Sequence, residues 1–479
     1  MKALIKFLAL VLVLGTAEGR IIRIPQDWPD IQTGIKMATG GDTVLVAPGR
    51  YLISSPRKRI NFEGKAILLT SEKGADSTVI DGWEEYGPIV TFESGEDTNS
   101  VIDGFTITNG RSDRGAGILC RNNSSPKICY NIITLNEVND IYDPDFGGLG
   151  AGICCDTASP MIVGNVISAN HCKAAFDFYG SGGGIFLRSS SASILNNTIS
   201  DNWATWGGGI GCAFRNSVRM EGNEIEGNEA RGGWINAGAG IYCVSGSSVL
   251  IANNTITGNF GYGYCDGGGI YSRGDSVVIV GNTITNNSAS PGGGIYTSSF
   301  SVKISENNIY GNAHYGLYSS DTSGIVDADS NWWGDQTGPY HPSLNPGGLG
   351  DTVGNWVDFV PWLSKPSGGG DDPPPTVLPE GFELSQNWPN PFNATTLIRY
   401  HLPAVSYQRS AVSLRVYNIL GQEVRTLIDE KQSPGYYSVV WNGRDDFRQE
   451  VSSGIYFYRL KVKGERLKAT KTKKMILLR

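Results

Sequence analysis

Between Ile128 and Asn312 the chain repeats one pattern of apolar and polar positions. Aligned on an apolar residue, seven successive units carry Ile128, Ile162, Ile194, Met220, Ile251, Ile279 and Ile304. Asparagine follows three residues later in every unit, as Asn131, Asn165, Asn197, Asn223, Asn254, Asn282 and Asn307. Isoleucine returns five residues after the first column, from Ile133 to Ile309, and a second asparagine eight after it, from Asn136 to Asn312. Two short alternating runs and a glycine-rich run, such as Gly267-Gly268-Gly269, make a core of about twenty residues per unit. So short a segment cannot bury its own apolar face, and the period predicts one coil of a parallel β-solenoid per unit. Strand side chains alternate between faces, so the isoleucines are expected inside. The asparagines are expected at the bends, tolerating αL backbone and hydrogen-bonding their equivalents from coil to coil.

A third column places Cys120, Cys155, Cys212 and Cys243 three residues after the last glycine of a G-x-G. Leu187, Ser272 and Thr297 take the same place in other units. An inward stack of small thiols accounts for these cysteines. Pairs in adjacent coils, such as Cys120 and Cys155, are close enough in the pattern to oxidise in an oxidising compartment, and connectivity stays open. The chain has no C-x-x-C and no Cys/His spacing of a zinc site, and its 4 histidines are scattered.

Composition narrows the class. With 64 Gly, 18% charged residues and 10% aromatics in 479 residues, the chain fits a turn-rich all-β protein, not a helical or disordered one. Met1–Gly19 has the basic start, apolar core and small residues of a secretory signal peptide. Its apolar core is too short to span a bilayer, and no later run approaches that length, so an exported chain without a transmembrane segment is expected. Residues 378–479 hold 16 Lys and Arg against 9 Asp and Glu, a net of +7, so the rest carries −14 of a total of −7. An acidic main body argues against a nucleic-acid partner, whose phosphates demand a basic face.

The repeats resemble the right-handed parallel β-helix superfamily typified by pectate-lyase-like proteins. IIRIPQDWPDIQTGIKMATGGDTVLVAPGRY (21–51) resembles that family's opening, with a capping helix around Ile31–Met37 and a first strand after Gly41-Asp42-Thr43. VIDGFTITNG (101–110) is similar to the irregular coil before its repeats, and NWWGDQTGP (331–339) with NWVDFVPWL (355–363) to its closing coil. After the Gly/Pro-rich linker SKPSGGGDDPPPTVLPE (364–380), LSQNWPNPFNATTLIRYHLP (384–403) resembles the start of C-terminal sorting domains of type IX secretion cargo. LRVYNILGQEVRTLIDEKQSPGYYSVVWNGRDD (414–446), SSGIYFYRLKV (452–462) and KMILLR (474–479) continue that likeness, which extends to the immunoglobulin-like domain of flagellar hook-capping proteins. The resemblance implies an all-β chain: signal peptide 1–19, single-stranded right-handed parallel β-helix 20–363, linker 364–380 and a small Ig-like sandwich 381–479. It also implies type IX secretion machinery as a partner, and the medium or outer cell surface of a Gram-negative bacterium as the destination. The basic tail is thereby accounted for without nucleic acid. The fold itself hosts lyases, hydrolases, esterases, adhesins and proteins of no known activity, so it does not set the function.

Length varies between the second asparagine column and the next G-x-G, at 137–149, 171–181, 203–206, 229–237 and 260–266. Coils stack about 4.8 Å apart, so these inserts are expected to form one continuous face. On it fall Tyr142, Phe178, Tyr179, Trp203, Trp206, Trp234, Tyr262, Tyr264 and Asp266, the candidate substrate-binding residues, with Phe146, Phe176, His171 and Glu229 among them. Aromatic strips beside carboxylates suit sugar rings, whose C–H faces stack on aromatics while hydroxyls bond to acids. The competing reading folds the same aromatics inward to cover the side of the solenoid. Catalysis would need two carboxylates, for which Asp143, Asp145 and Asp177 are candidates, or a basic residue facing a uronate C5 proton, for which Lys173 and Arg231 are.

Neither set matches a lyase or esterase motif, and the acidic calcium cluster of pectate lyases is not evident. No cofactor and no metal site is expected; calcium stays open, with Asp327, Asp329 and Asp335 lacking the spacing of a known loop. Arg273-Gly274-Asp275 reads as turn composition. The leading expectation is a secreted or cell-surface β-helix protein that binds a polysaccharide or surface glycan or is structural. A polysaccharide lyase or glycoside hydrolase on the insert face, and an adhesin or stalk without glycan binding, are the alternatives.

Overall fold

The isoleucine columns stack in register. Ile128 pairs with Ile162, Ile162 with Ile194, and the series runs through Met220, Ile251 and Ile279 to Ile304, every side chain fully buried. The second column, Ile133 to Ile309, does the same on the next sheet. The structure, a computed structural model, describes residues 19–83, 85–140, 148–174, 180–232, 236–244, 246–274, 276–299 and 301–367 of this part. Beyond them it describes 382–384, 386–387, 390–393, 396–402, 410–432, 435–446, 449–463 and 468–478. Two compact units result, one up to Pro374 and one from Pro375.

In the first unit each coil visits three long parallel sheets. Sheet 1 has 13 strands and carries Ile128; sheet 2 has 10 and carries Ile133; sheet 3 has 10 and carries the strands after each G-x-G. A helix over Ile31–Met37 closes the first coil, its N-terminus capped by Asp30, which accepts from the Thr33 N–H at 2.8 Å. Ile31 and Ile35 face the core beneath it. At the other end Trp333 and Phe359 are buried in the last layer.

Two asparagine ladders hold the bends. Between sheets 1 and 2, the Asn131 Nδ2 donates to Asn165 Oδ1 at 3.1 Å, and equivalent bonds of 2.9–3.0 Å continue through Asn197, Asn223, Asn254, Asn282 and Asn307 to Asn331. The second ladder runs from Asn136 through Asn170, Asn202, Asn228, Asn259 and Asn287 to Asn312, and ends on a carboxylate, Asp351. The αL residue, however, is the one before each rung. Tyr130, Leu135, Ala169, Asn196 and Asp201 have φ of +52° to +57°, and Gly164, Gly222 and Gly258 take the same role in other coils. The expectation of αL geometry at the ladder asparagines is thereby corrected: the rung residue supplies hydrogen bonds and its predecessor turns the chain.

A second αL column explains the glycines. Gly115, Gly150, Gly182, Gly207, Gly238, Gly267 and Gly292 have φ between +56° and +77°. A Cβ there would lie 2.3–3.0 Å from the carbonyl oxygen of the isoleucine three residues on, so no other residue fits without moving the strand.

The cysteine column is inward: Cys120, Cys155, Cys212 and Cys243 are fully buried in the main core, and all 8 cysteines are free thiols. A hydrogen bond that the Cys155 thiol donates to Cys120, together with burial, holds Cys155 well above the usual thiol range, and burial with a hydrogen bond donated to Cys243 does the same for Cys212.

The second unit is antiparallel. Strands Glu423–Gln432, Ser410–Asn418, Gly454–Lys463 and Lys468–Leu477 form a four-stranded sheet in that spatial order, and Glu383–Leu384, Thr396–Leu402 and Gly435–Trp441 a three-stranded one. Phe392, Tyr400, Trp441, Tyr458 and Met475 fill its core. The N-P-F-N stretch is tied to the end of the chain. Phe392 N donates to Ile476 O at 2.9 Å, Leu478 N to Phe392 O at 2.8 Å, and Ile476 N to Asn390 Oδ1 at 2.8 Å.

Candidate functional site

The inserts are not all loop. Their first residues, joined by Arg111–Ser112 of the preceding coil, build a fourth parallel sheet of six strands, beginning at Arg111, Glu137, His171, Trp203, Glu229 and Phe260. In register, Arg111, Glu137, His171, Trp203, Glu229 and Phe260 form one outward column. Val138, Cys172 and Ala204 point the other way, into a small apolar cluster with Ala116 and Ala151. Alternation along two to four residues is enough to seat a strand when its neighbours already fix the register.

Trp203 is the centre of this column. The Arg231 guanidinium lies 4.6 Å from its ring centroid, the Lys173 ammonium 5.8 Å and the His171 ring 5.4 Å. Each cation is also paired: Lys173 Nζ with Glu137 at 2.8 Å, Arg231 with Glu229 at 3.0 Å. Burial pushes the His171 imidazole below its ordinary value, and Lys173 and Arg231 push it the same way, against Glu137. The Trp203 indole N–H is buried with no hydrogen-bond partner. The structure thus brings Lys173 and Arg231 to one ring, although two coils separate them in sequence. Both are neutralised where they stand. Glu137 and Glu229 sit three strand spacings apart, roughly 14 Å, beyond the separation a pair of glycosidase carboxylates uses.

Trp206 goes elsewhere. Its ring stacks on Tyr242 on the outer surface of sheet 3, at 5.4 Å and 16°. The stack continues through Tyr271, Tyr296 and Tyr318 at centroid spacings of 5.2, 5.3 and 5.7 Å. Parallel in-register pairing of Tyr242, Tyr271, Tyr296 and Tyr318 places the rings face to face. Asp266 accepts a hydrogen bond from Tyr296 of this stack; burial raises its carboxyl above the ordinary value, with that bond opposing. The stack was missed in the sequence, although G-I-Y at 240–242, 269–271 and 294–296 and G-L-Y at 316–318 signal it. Because ring faces are spent on each other, the stack offers edges and hydroxyls to solvent, not sugar-stacking faces.

Among the described insert residues, exposed aromatic rings lie at the end of the fourth sheet. Phe260, Tyr262 and Tyr264 are 42%, 44% and 84% exposed, and Phe260 meets Tyr262 edge-on at 4.7 Å. Tyr142, Asp143, Asp145, Asp177, Phe178, Tyr179 and Trp234 lie outside the described residues, as do Phe146, Phe176 and Asp275. The described residues contain no group of three or more His, Cys, Asp or Glu placed to hold a metal ion. Asp335 accepts from the N–H and hydroxyl of Thr337 at 2.9 and 2.8 Å, which lowers its pKa and marks a turn.

A concavity of about 550 Å³ lies on the outer surface of sheet 3 beside the capping helix. Lys36, Arg57, Arg59, Arg114 and Arg121 line it against Glu63, Glu93 and Asp113. Its residues come from the helix and several coils, so no local motif announces it.

Fold and surface together define a right-handed parallel β-helix followed along the chain by an antiparallel sandwich. Residues 174–332 match the family of right handed beta helix regions, and residues 399–466 match the FlgD Ig-like domain family. No curated protein sequence matches the chain significantly. Among solved structures, dimeric latent PorU from Porphyromonas gingivalis is similar at 19% identity and a TM-score of 0.18. That similarity covers 21% of this chain and 10% of that one, and it carries no argument. Among the described residues no helix is long and apolar enough to cross a membrane.

Proposed function

We propose that the solenoid is the glycan-contacting body of a surface or exported protein, with Tyr262 and Tyr264 as the primary sugar platforms. The supporting observation is the exposure of these two rings at the end of the fourth sheet: Tyr264 projects into solvent, and Tyr262, edge-on to Phe260, is still 44% exposed. Trp203 and Trp206 act as framework in this reading, since cations and tyrosines already cover their faces. Export rests on the signal-like Met1–Gly19 and on the resemblance of the C-terminal sandwich to type IX sorting domains.

Incubation of the protein with acidic and neutral polysaccharides, followed by size-exclusion chromatography, tests the reading. Intact polymer co-eluting with the protein supports it. Shortened polymer would establish a lyase or hydrolase instead, and separate elution would leave the adhesin or stalk. Retention of acidic polymers alone would implicate the cation-lined cleft beside the capping helix as a second contact.

A further inference from the structure

The four-stranded sheet of the second unit has a core face and an open face. On the open face, cross-strand neighbours fall into rows. One row is Lys431, Ala411, Lys463 and Lys468; the next is Asp429, Ser413, Lys461 and Thr470. The following rows are Thr426, Arg415, Arg459 and Thr472, then Glu423, Tyr417, Phe457 and Lys474. Seven cations therefore share this face with two acids, a net of +5. Both acids are already used by Arg415, which pairs with Glu423 and Asp429 at 2.9 Å each.

Like charges stand directly opposite one another at Lys463/Lys468, an arrangement that destabilises an antiparallel pair unless something neutralises it; Arg459 faces Arg415, whose charge Glu423 and Asp429 already offset. Among the described residues, Lys431, Lys461, Lys463, Lys468 and Lys474 have no ion-pair partner. Small Ala411 and Ser413 floor a shallow trough of about 320 Å³ between Arg459, Lys461 and Lys463 on one side and Arg415 and Asp429 on the other.

We propose that this face docks on an anionic lipid surface, its lysines and arginines seating phosphate headgroups. Site and ligand both differ from those of the glycan reading, and three features of the face favour lipid. The face is four strands wide and spreads its cations over several rows, as a broad surface of anionic headgroups would meet them. Among the described residues it carries no projecting helix or ribbon for a nucleic-acid groove, and its Tyr417 ring is covered by Arg459 at 4.9 Å, which removes a base-stacking platform. At the hairpin end of the sheet, Ile419 and Leu420 are 69% and 76% exposed, an apolar pair that a lipid interface covers and a soluble polyanion does not.

Co-sedimentation of the full chain with phosphatidylcholine vesicles, with and without about one third phosphatidylglycerol, tests the proposal. Binding to the anionic vesicles should be at least tenfold tighter than to neutral ones, and should collapse in roughly 0.5 M salt, where charges are screened within a few ångströms. Each surface lysine contributes about fivefold, so Lys461→Glu with Lys463→Glu should weaken vesicle binding by more than tenfold. The same charge change at exposed Lys73 and Lys303 of the other unit should leave binding within twofold. Equal binding to both vesicle types would overturn the proposal, as would a well-folded Lys461/Lys463 variant that binds like the parent. Complete displacement by inorganic phosphate at low millimolar concentration would assign a small-anion site and overturn the lipid reading.

Discussion

The guanidinium of Arg231 rests 4.6 Å from the centroid of Trp203, and Glu229 holds it there through an ion pair of 3.0 Å. With Lys173 and His171 also against the indole, Trp203 ties three coils of the fourth sheet together. A tryptophan so covered packs more than it binds.

Trp203→Ala should therefore lower the stability of the solenoid by roughly 2 kcal/mol, from lost packing and cation–π contact. Trp203→Phe keeps a ring and removes an indole N–H that is buried without a partner. It should stay within about 1 kcal/mol of the parent, since an unsatisfied buried donor costs about as much as the lost area. Urea unfolding followed by far-UV circular dichroism separates the two; equal losses would show that the ring does not pack as described.

Asn197 accepts from the Asn165 N–H and Nδ2 at 2.9 and 3.0 Å and donates to Ile162 O and Asn223 Oδ1 at 3.0 Å each. Asn197→Ala strands several buried polar groups at once, so a loss of roughly 3 kcal/mol or more is expected in the same unfolding measurement. Asn196→Gly, at the αL position beside it, should be neutral or stabilising.

The last rung gives a pH signature. Asp351 accepts from Gly311 N at 2.7 Å and from Asn312 N and Nδ2 at 3.0 Å. Burial nevertheless raises its carboxyl above the ordinary value, against those bonds. A carboxyl raised on folding contributes stability below its unfolded value and loses it as pH rises through the folded one. Stability should thus fall from the ordinary carboxylate range upward through the raised Asp351 value, and Asp351→Asn should lack that component. Midpoints of urea unfolding for both proteins across the acidic range check it; parallel pH profiles would exclude Asp351 as the cause.

All 8 cysteines are buried and unbridged. Burial holds Cys154 and Cys265 above the usual thiol range, the latter at about 12, and a buried thiol of that kind is unreactive. A thiol-specific colour reagent should find almost no reactive thiol in the native protein and 8 per chain after unfolding. Six or fewer after unfolding would mean that a pair such as Cys120 and Cys155 had oxidised.

Much of this was readable in the sequence, for reasons that differ by feature. Ile128 and Asn131 recur because each coil meets an identical neighbour, so the core columns and both ladders repeat in the chain. The αL positions did not show, because Tyr130, Leu135, Ala169 and Asp201 occupy them without sharing chemistry. Asp351 was invisible as the end of a ladder, since it joins Asn312 from 39 residues away. The fourth sheet was hidden by strands of only two to four residues, and Trp206 by the choice of which surface to cover. Local pattern cannot decide that choice; stacking on Tyr242 does.

The most direct test of the glycan reading compares the parent with Tyr262→Ala and Tyr264→Ala combined, by affinity electrophoresis in gels cast with the polysaccharide that the parent retains. Loss of roughly 2 kcal/mol, about thirtyfold in affinity, is expected with unchanged thermal stability, since two exposed platforms are removed and no core is touched. An unchanged affinity in the folded double variant would contradict the account and move the contact away from the end of the fourth sheet.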